Sequence, residues 1–131
     1  MNTKLNQILA EISAGELLDK ITILEIKKEK INDSEKLKDI NKELSSLVKT
    51  SNEKIPDKKR IEDLVSNLKK INLKLWDIEE NKRRAEKEKK FDETFIQLSR
   101  DVYKSNDERA KIKLKINEIL GSNIKEVKSH Y

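Results

Sequence analysis

The chain has 131 residues with two Gly and one Pro, is 34% hydrophobic and 42% charged, and sets 30 basic against 25 acidic side chains for a net charge of +5. So few turn-makers exclude an all-β fold, and so little apolar content permits only a thin core between helices, the kind built by the Ala, Glu, Lys, Leu and Arg that make up about half the chain. The lack of Cys argues against a disulfide framework; with no signal-peptide h-region and no stretch near the roughly 20 apolar residues of a membrane span, a cytoplasmic protein without a membrane partner is expected.

Ser13 is placed to cap the first helix, with Glu16 three residues later completing a capping box. Leu17, Ile21, Leu24 and Ile31 then follow the spacing of one helical face. Ile23 and Ile26 fall off that face, since the helix turns about 100° per residue. A helix apolar on both sides is sandwiched, either between layers of its own fold or between subunits. Ile23 and Ile26 are therefore candidate interface residues. The helix is expected to stop near Asn32 and Asp33.

Asp33 or Ser34 caps a second helix with the seam Leu37, Ile40, Leu44 and Leu47. The short turn before it predicts an antiparallel hairpin. Residues 50–56, Thr-Ser-Asn-Glu-Lys-Ile-Pro, read as the clearest loop. Pro56 suits the first turn of a third helix, with Asp57 at the positive end of its dipole. Ile61, Leu64, Leu68, Ile71, Leu75 and Ile78 carry its seam, and a helix over residues 57–89 would run roughly 50 Å.

Phe91, Phe95, Leu98 and Val102 form a new seam that faces nearly opposite to the previous one. A break is simpler than one rod with two faces. Asp92 is its N-cap, and Phe91 with Ile96 its hydrophobic staple. The run Ser105, Asn106, Asp107, Glu108 predicts a second interruption, with Asn106 capping a final helix. Ile112, Ile116, Ile119 and Leu120 form the last seam, and Gly121 is the stop. The expected fold is all-α, an antiparallel helical bundle of four to five helices with one long central helix, in a single domain over residues 1–131.

The parts for covalent and metal chemistry are missing. The only His is His130, Cys is absent, and Gly15 and Gly121 stand too far apart for a phosphate loop. No catalytic residue, metal ligand or cofactor is assigned. Lys28, Lys82 and Arg109 fall on apolar seams, where they either snorkel to water or converge on an anionic metabolite. Asn72, Trp76, Glu79 and Arg83 line one edge of the long helix, and Trp76 is either a core-edge residue or a ligand platform. The run Lys82, Arg83, Arg84 is interleaved with Glu79, Glu80 and Glu86, as on a solvated helix end. The candidate ligand residues are Lys28, Trp76, Glu79, Lys82, Arg83 and Arg109.

Three stretches stand out together: GELLDKITILEIK over residues 15–27, LWDIEENKR over 75–83, and FDETFIQLSRDVYKSNDERAKIKLKINEILGS over 91–122. They resemble a family of short uncharacterised helical proteins, a domain of unknown function from bacteria and marine phages. The likeness covers most of the chain outside residues 1–12 and the second helix. The ending departs from the family pattern, in which Lys-Ser-Tyr closes the chain, because His130 follows Ser129. The resemblance transfers no catalytic residue. It implies an accessory role beside surface-polysaccharide enzymes.

The expected function is a non-enzymatic binding or scaffolding module, self-associated as a homodimer and open to a further protein partner. Two alternatives stay open. A small all-α enzyme or anionic-metabolite binder would bury converging cations in a polar pocket. A weak nucleic-acid binder would show strongly salt-dependent retention; the interspersed charges do not predict a nucleic-acid partner.

Overall fold

The structure, a computed structural model, describes residues 4–127. The departure at Ser129, His130 and Tyr131 lies outside them. Four helices follow one another: α1 over Ala14–Lys30, α2 over Ser34–Lys54, α3 over Glu62–Glu88 and α4 over Glu93–Leu120. A 3-10 turn at Lys59–Ile61 leads straight into α3, and no strand forms among the described residues. None of these helices is long and apolar enough to cross a membrane.

Local chemistry explains most boundaries. The Ser13 hydroxyl accepts from the Glu16 amide at 3.1 Å, and the Asp33 carboxylate accepts from the amides of Glu35 and Lys36. The expected break between α3 and α4 is present. Lys89 takes a left-handed conformation at φ 56°, and Asp92 caps α4 by accepting from the Phe95 amide at 3.2 Å. At the far end Gly121, at φ 63°, closes α4 as the Ser122 amide reaches back to the Asn117 carbonyl at 2.9 Å.

Four expectations are corrected. Residues 50–54 continue α2 rather than forming a loop. Thr50 bonds back to the Ser46 carbonyl, Ser51 is buried, and the helix ends only at Ile55, which Pro56 pushes out of helical geometry. The third helix accordingly starts later, at Glu62, after Asp57 has accepted from the Lys59 amide. Phe91 packs its ring edge against Phe95, with centroids 5.3 Å apart, and both Phe91 and Ile96 stay exposed, so no staple joins them. The second interruption does not exist: α4 runs unbroken for 28 residues through Ser105, Asn106, Asp107 and Glu108.

α1 occupies the middle. α2 packs on α1 alone, while α3 and α4 pair with each other and both touch α1. Leu17, Leu18, Ile55, Ile61, Leu68, Ile71 and Ile116 form the core, with Ile61, Leu68 and Ile116 fully buried. Truncating any of those three to Ala would cost about 2–5 kcal/mol. The two-sided apolar pattern of α1 is therefore satisfied within one chain. Ile26 is only 2% exposed and is withdrawn as an interface residue. Ile23 remains half-buried.

Candidate functional site

The contact between α1 and α4 is polar for most of its length. Gly15, Asp19, Thr22 and Ile26 make one stripe of α1, and all four are buried. Asn117, Lys113, Arg109 and Ser105 recur every fourth residue along α4 and supply the matching stripe. At its lower end a missing side chain brings the helices together. A Cβ on Gly15 would lie 2.6 Å from the Lys113 carbonyl oxygen, and the bare Gly15 amide donates to the Asn117 side chain at 2.6 Å.

Asp19 is the centre of the stripe and has no exposed surface. Its Oδ1 accepts from Arg109 Nε and from Asn72 Nδ2, each at 2.9 Å, and its Oδ2 accepts from Arg109 Nη2. Asn72 spends its second amide hydrogen on the Thr22 hydroxyl, which itself donates to the Asp19 carbonyl. The hydrogen bonds and charge of Asp19 outweigh burial and hold the Arg109 guanidinium further toward its charged form.

One turn below, the Lys113 ammonium meets Glu16 at 2.7 Å, Glu126 at 2.6 Å and Asp19 at 3.9 Å. Burial alone would lower the Lys113 pKa, but the bonds to Glu126 and Glu16 and the charge of Asp19 raise it instead. Glu16 thus serves Lys113 with its carboxylate and the Ser13 cap with its amide, which is half of the expected capping box. Ser105 ends the stripe with its hydroxyl buried and without a hydrogen-bond partner.

Above the Asp19–Arg109 pair the three helices diverge into a cleft of about 280 Å³. α1 contributes Ile23 and Ile26, and α3 contributes Asn72, Leu75, Trp76 and Glu79. α4 closes it with Val102, Asn106 and Arg109. A larger hollow of about 750 Å³ lies at the opposite end, between residues 10–14 and the ends of α2 and α4. Much of its polar rim is already engaged: Ser122 with Ala14 and Ile124, Asn123 with Glu11, and Arg60 with the Ile119 carbonyl. The smaller cleft keeps unspent groups and an indole, which is the combination a ligand needs.

The structure brings Trp76, Glu79 and Arg109 to this cleft together with Ile23 and Ile26. Arg83 joins indirectly, through its 3.0 Å bond to Glu79. Two candidates lie elsewhere. Lys28 is exposed near the end of α1, and Lys82 places its ammonium 5.8 Å from the centre of the Phe95 ring. Asp19, Lys113 and Asn117 escaped the sequence reading, and Glu16 entered it only as a capping residue. Their signal was the recurrence of polar groups every third residue on α1 (Glu16, Asp19, Thr22) and every fourth on α4, acidic on the first and basic on the second.

A family profile described as a family of unknown function, DUF6165, matches residues 8–131. The chain belongs to this family. The DUF6165 match spans every residue of the cleft and of the polar stripe beneath it. No curated protein and no solved structure matches the chain.

Proposed function

We propose that this protein is a non-enzymatic binding module that holds a small ligand in the cleft between α1, α3 and α4. One observation carries the reading. The sole Trp of the chain stands there beside Asn72, Glu79, Asn106 and Arg109, on a rim held in place by the ion pair between Arg109 and the fully buried Asp19. A rim with so rigid a support is pre-organised, so binding costs little ordering.

The lining favours holding over turnover. Glu79 is the one carboxylate on it and is tied to Arg83. The Arg109 charge is matched by Asp19, which weakens the case for an anionic metabolite. Arg83 and Lys82 are likewise engaged, by Glu79 and by Phe95, which weakens the case for nucleic acid.

The test is a ligand-observed NMR screen of mixed metabolites against the wild type and against Asn106→Trp. Asn106 is exposed on the cleft wall, so an indole there fills the cleft without entering the core. Ligands that bind the wild type and fail on the filled variant support the reading. A screen in which every hit binds both proteins equally defeats it.

We also infer a homodimer, through the end of the α3–α4 hairpin. Phe91, Ile96 and Tyr103 are 55%, 53% and 54% exposed in a single chain, and the last two lie two turns apart on one face of α4. A cyclic dimer is the commonest way to cover such a face. Light scattering should give twice the monomer mass for the wild type and the monomer mass for Ile96→Asp. A monomeric wild type at micromolar concentration ends this inference.

A further inference from the structure

Resting on the reading of the cleft as a ligand seat, we infer that its ligand is a single uncharged ring carrying several hydroxyl groups, a monosaccharide or cyclitol, free or at the end of a longer glycan. Charge is the first argument. Arg109 is bound through two N–H groups to Asp19, and Glu79 is bound to Arg83. The lining therefore has no unmatched charge to offer. A charged ligand would lose hydration there and gain no counter-charge.

Hydrogen bonding is the second. Asn72 has given both amide hydrogens to Asp19 and Thr22, so toward a ligand it can only accept. Glu79 has a second carboxylate oxygen that also only accepts. Across the cleft on α4, the Asn106 amide can donate, and Arg109 Nη1 has only a long 3.4 Å bond to Asn106. Acceptors on one wall and donors on the other call for ligand groups that do both, spread around a rim. Hydroxyl groups do both. A nucleobase confines its donors and acceptors to the plane of a flat ring system, on its Watson–Crick and Hoogsteen edges, whereas ring hydroxyls also project out of the ring's mean plane.

Shape is the third. Ile23, Ile26, Leu75 and Val102 line the cleft with Trp76, an aliphatic and aromatic surface that suits the C–H face of a saturated ring. About 280 Å³ is at the small end for a ligand pocket, the right scale for one ring. An aliphatic ligand would cover the same surface but leave Asn72, Asn106 and Arg109 without the bonds they lose from water.

The experiment uses Trp76, the only Trp in the chain, as its reporter. The whole protein is titrated with glucose, galactose, N-acetylglucosamine and myo-inositol, and in parallel with maltotriose, adenosine and glucose 6-phosphate. Expected is a saturable change in Trp76 emission with at least one neutral ring, weakened about tenfold or more in Asn106→Ala, whose exposed position leaves the fold intact. Calorimetry on Trp76→Phe checks that the heat is lost along with the indole. A trisaccharide that binds more tightly than its monomer assigns the ring to a glycan end, and the reverse assigns it to a free ring. Preference for adenosine or for the phosphorylated sugar overturns the ring class while the cleft still stands as a ligand seat. No response to any neutral ring overturns the inference, and the metabolite screen then decides separately whether the cleft binds anything.

Discussion

Arg109 donates from Nε and Nη2 to the two oxygens of Asp19, a fully buried residue 90 positions earlier in the chain. Removing one partner strands the other's charge. Asp19→Ala should cost about 3 kcal/mol, toward the low end for a buried pair because the Arg109 side chain keeps 28% of its surface. The double variant Asp19→Leu/Arg109→Met should recover most of that loss. Urea denaturation of both settles it; a double variant as unstable as the single would show that the cost lies in packing and not in charge.

Gly15 is a contact and not a hinge. Alanine is the better helix former by about 1 kcal/mol. Even so, Gly15→Ala should destabilise by about 1–3 kcal/mol net, because its Cβ would meet the Lys113 carbonyl at 2.6 Å and the Asn117 oxygen at 2.9 Å. A thermal shift upward would contradict the close approach of α1 and α4.

Lys89 ends α3 in a conformation that glycine adopts more readily, at φ 56° with the Lys90 amide bonded to the Ala85 carbonyl. Lys89→Gly should stabilise by about 0.5–1 kcal/mol in denaturant titration. A loss of stability would mean that the turn is not left-handed in solution.

Lys113 makes stability fall on the alkaline side. Its pKa is raised in the fold, so its ion pairs contribute fully below the unfolded lysine value of about 10.4. That contribution disappears as pH rises through the higher folded value. Subtracting the pH–stability curve of Lys113→Met from that of the wild type should leave a difference that shrinks above pH of about 10.4 and is flat from there down to neutral pH. A difference that grows with pH would have the wrong sign.

Ile26 and Ile23 should part company. Ile26→Asp puts a carboxylate where 2% of the surface is exposed and should cost more than about 4 kcal/mol, unfolding the chain by circular dichroism. Ile23→Asp, on the cleft wall, should stay folded. Folded but dissociated Ile26→Asp would return that residue to an interface.

The elements were legible where one local signal acted alone. Ser13, Asp33, Asp92 and Gly121 announced helix ends through side-chain or backbone chemistry within a few residues. The false break at Ser105–Glu108 came from cap-like residues that α4 carries in its interior without capping anything. Ser105 is buried, and Asn106 accepts from Arg109. The cleft was half legible. Trp76, Glu79 and Arg109 stood out, but Asp19 and Lys113 passed unread because the pairs Asp19–Arg109 and Glu16–Lys113 join residues 90 and 97 positions apart and periodicity carries no information on pairing.

The polar stripe also sets a timetable. Gly15 and Asp19 leave the ribosome well before Arg109, Lys113 and Asn117. At typical synthesis rates roughly 5–20 s separate Asp19 from Arg109. During that interval α1, α2 and α3 are all made, but Asp19 still lacks its partner Arg109. The polar stripe is therefore completed only when α4 arrives. A nascent chain arrested before Arg109 should be open to protease along α1, and one released after Ser122 should be closed to it.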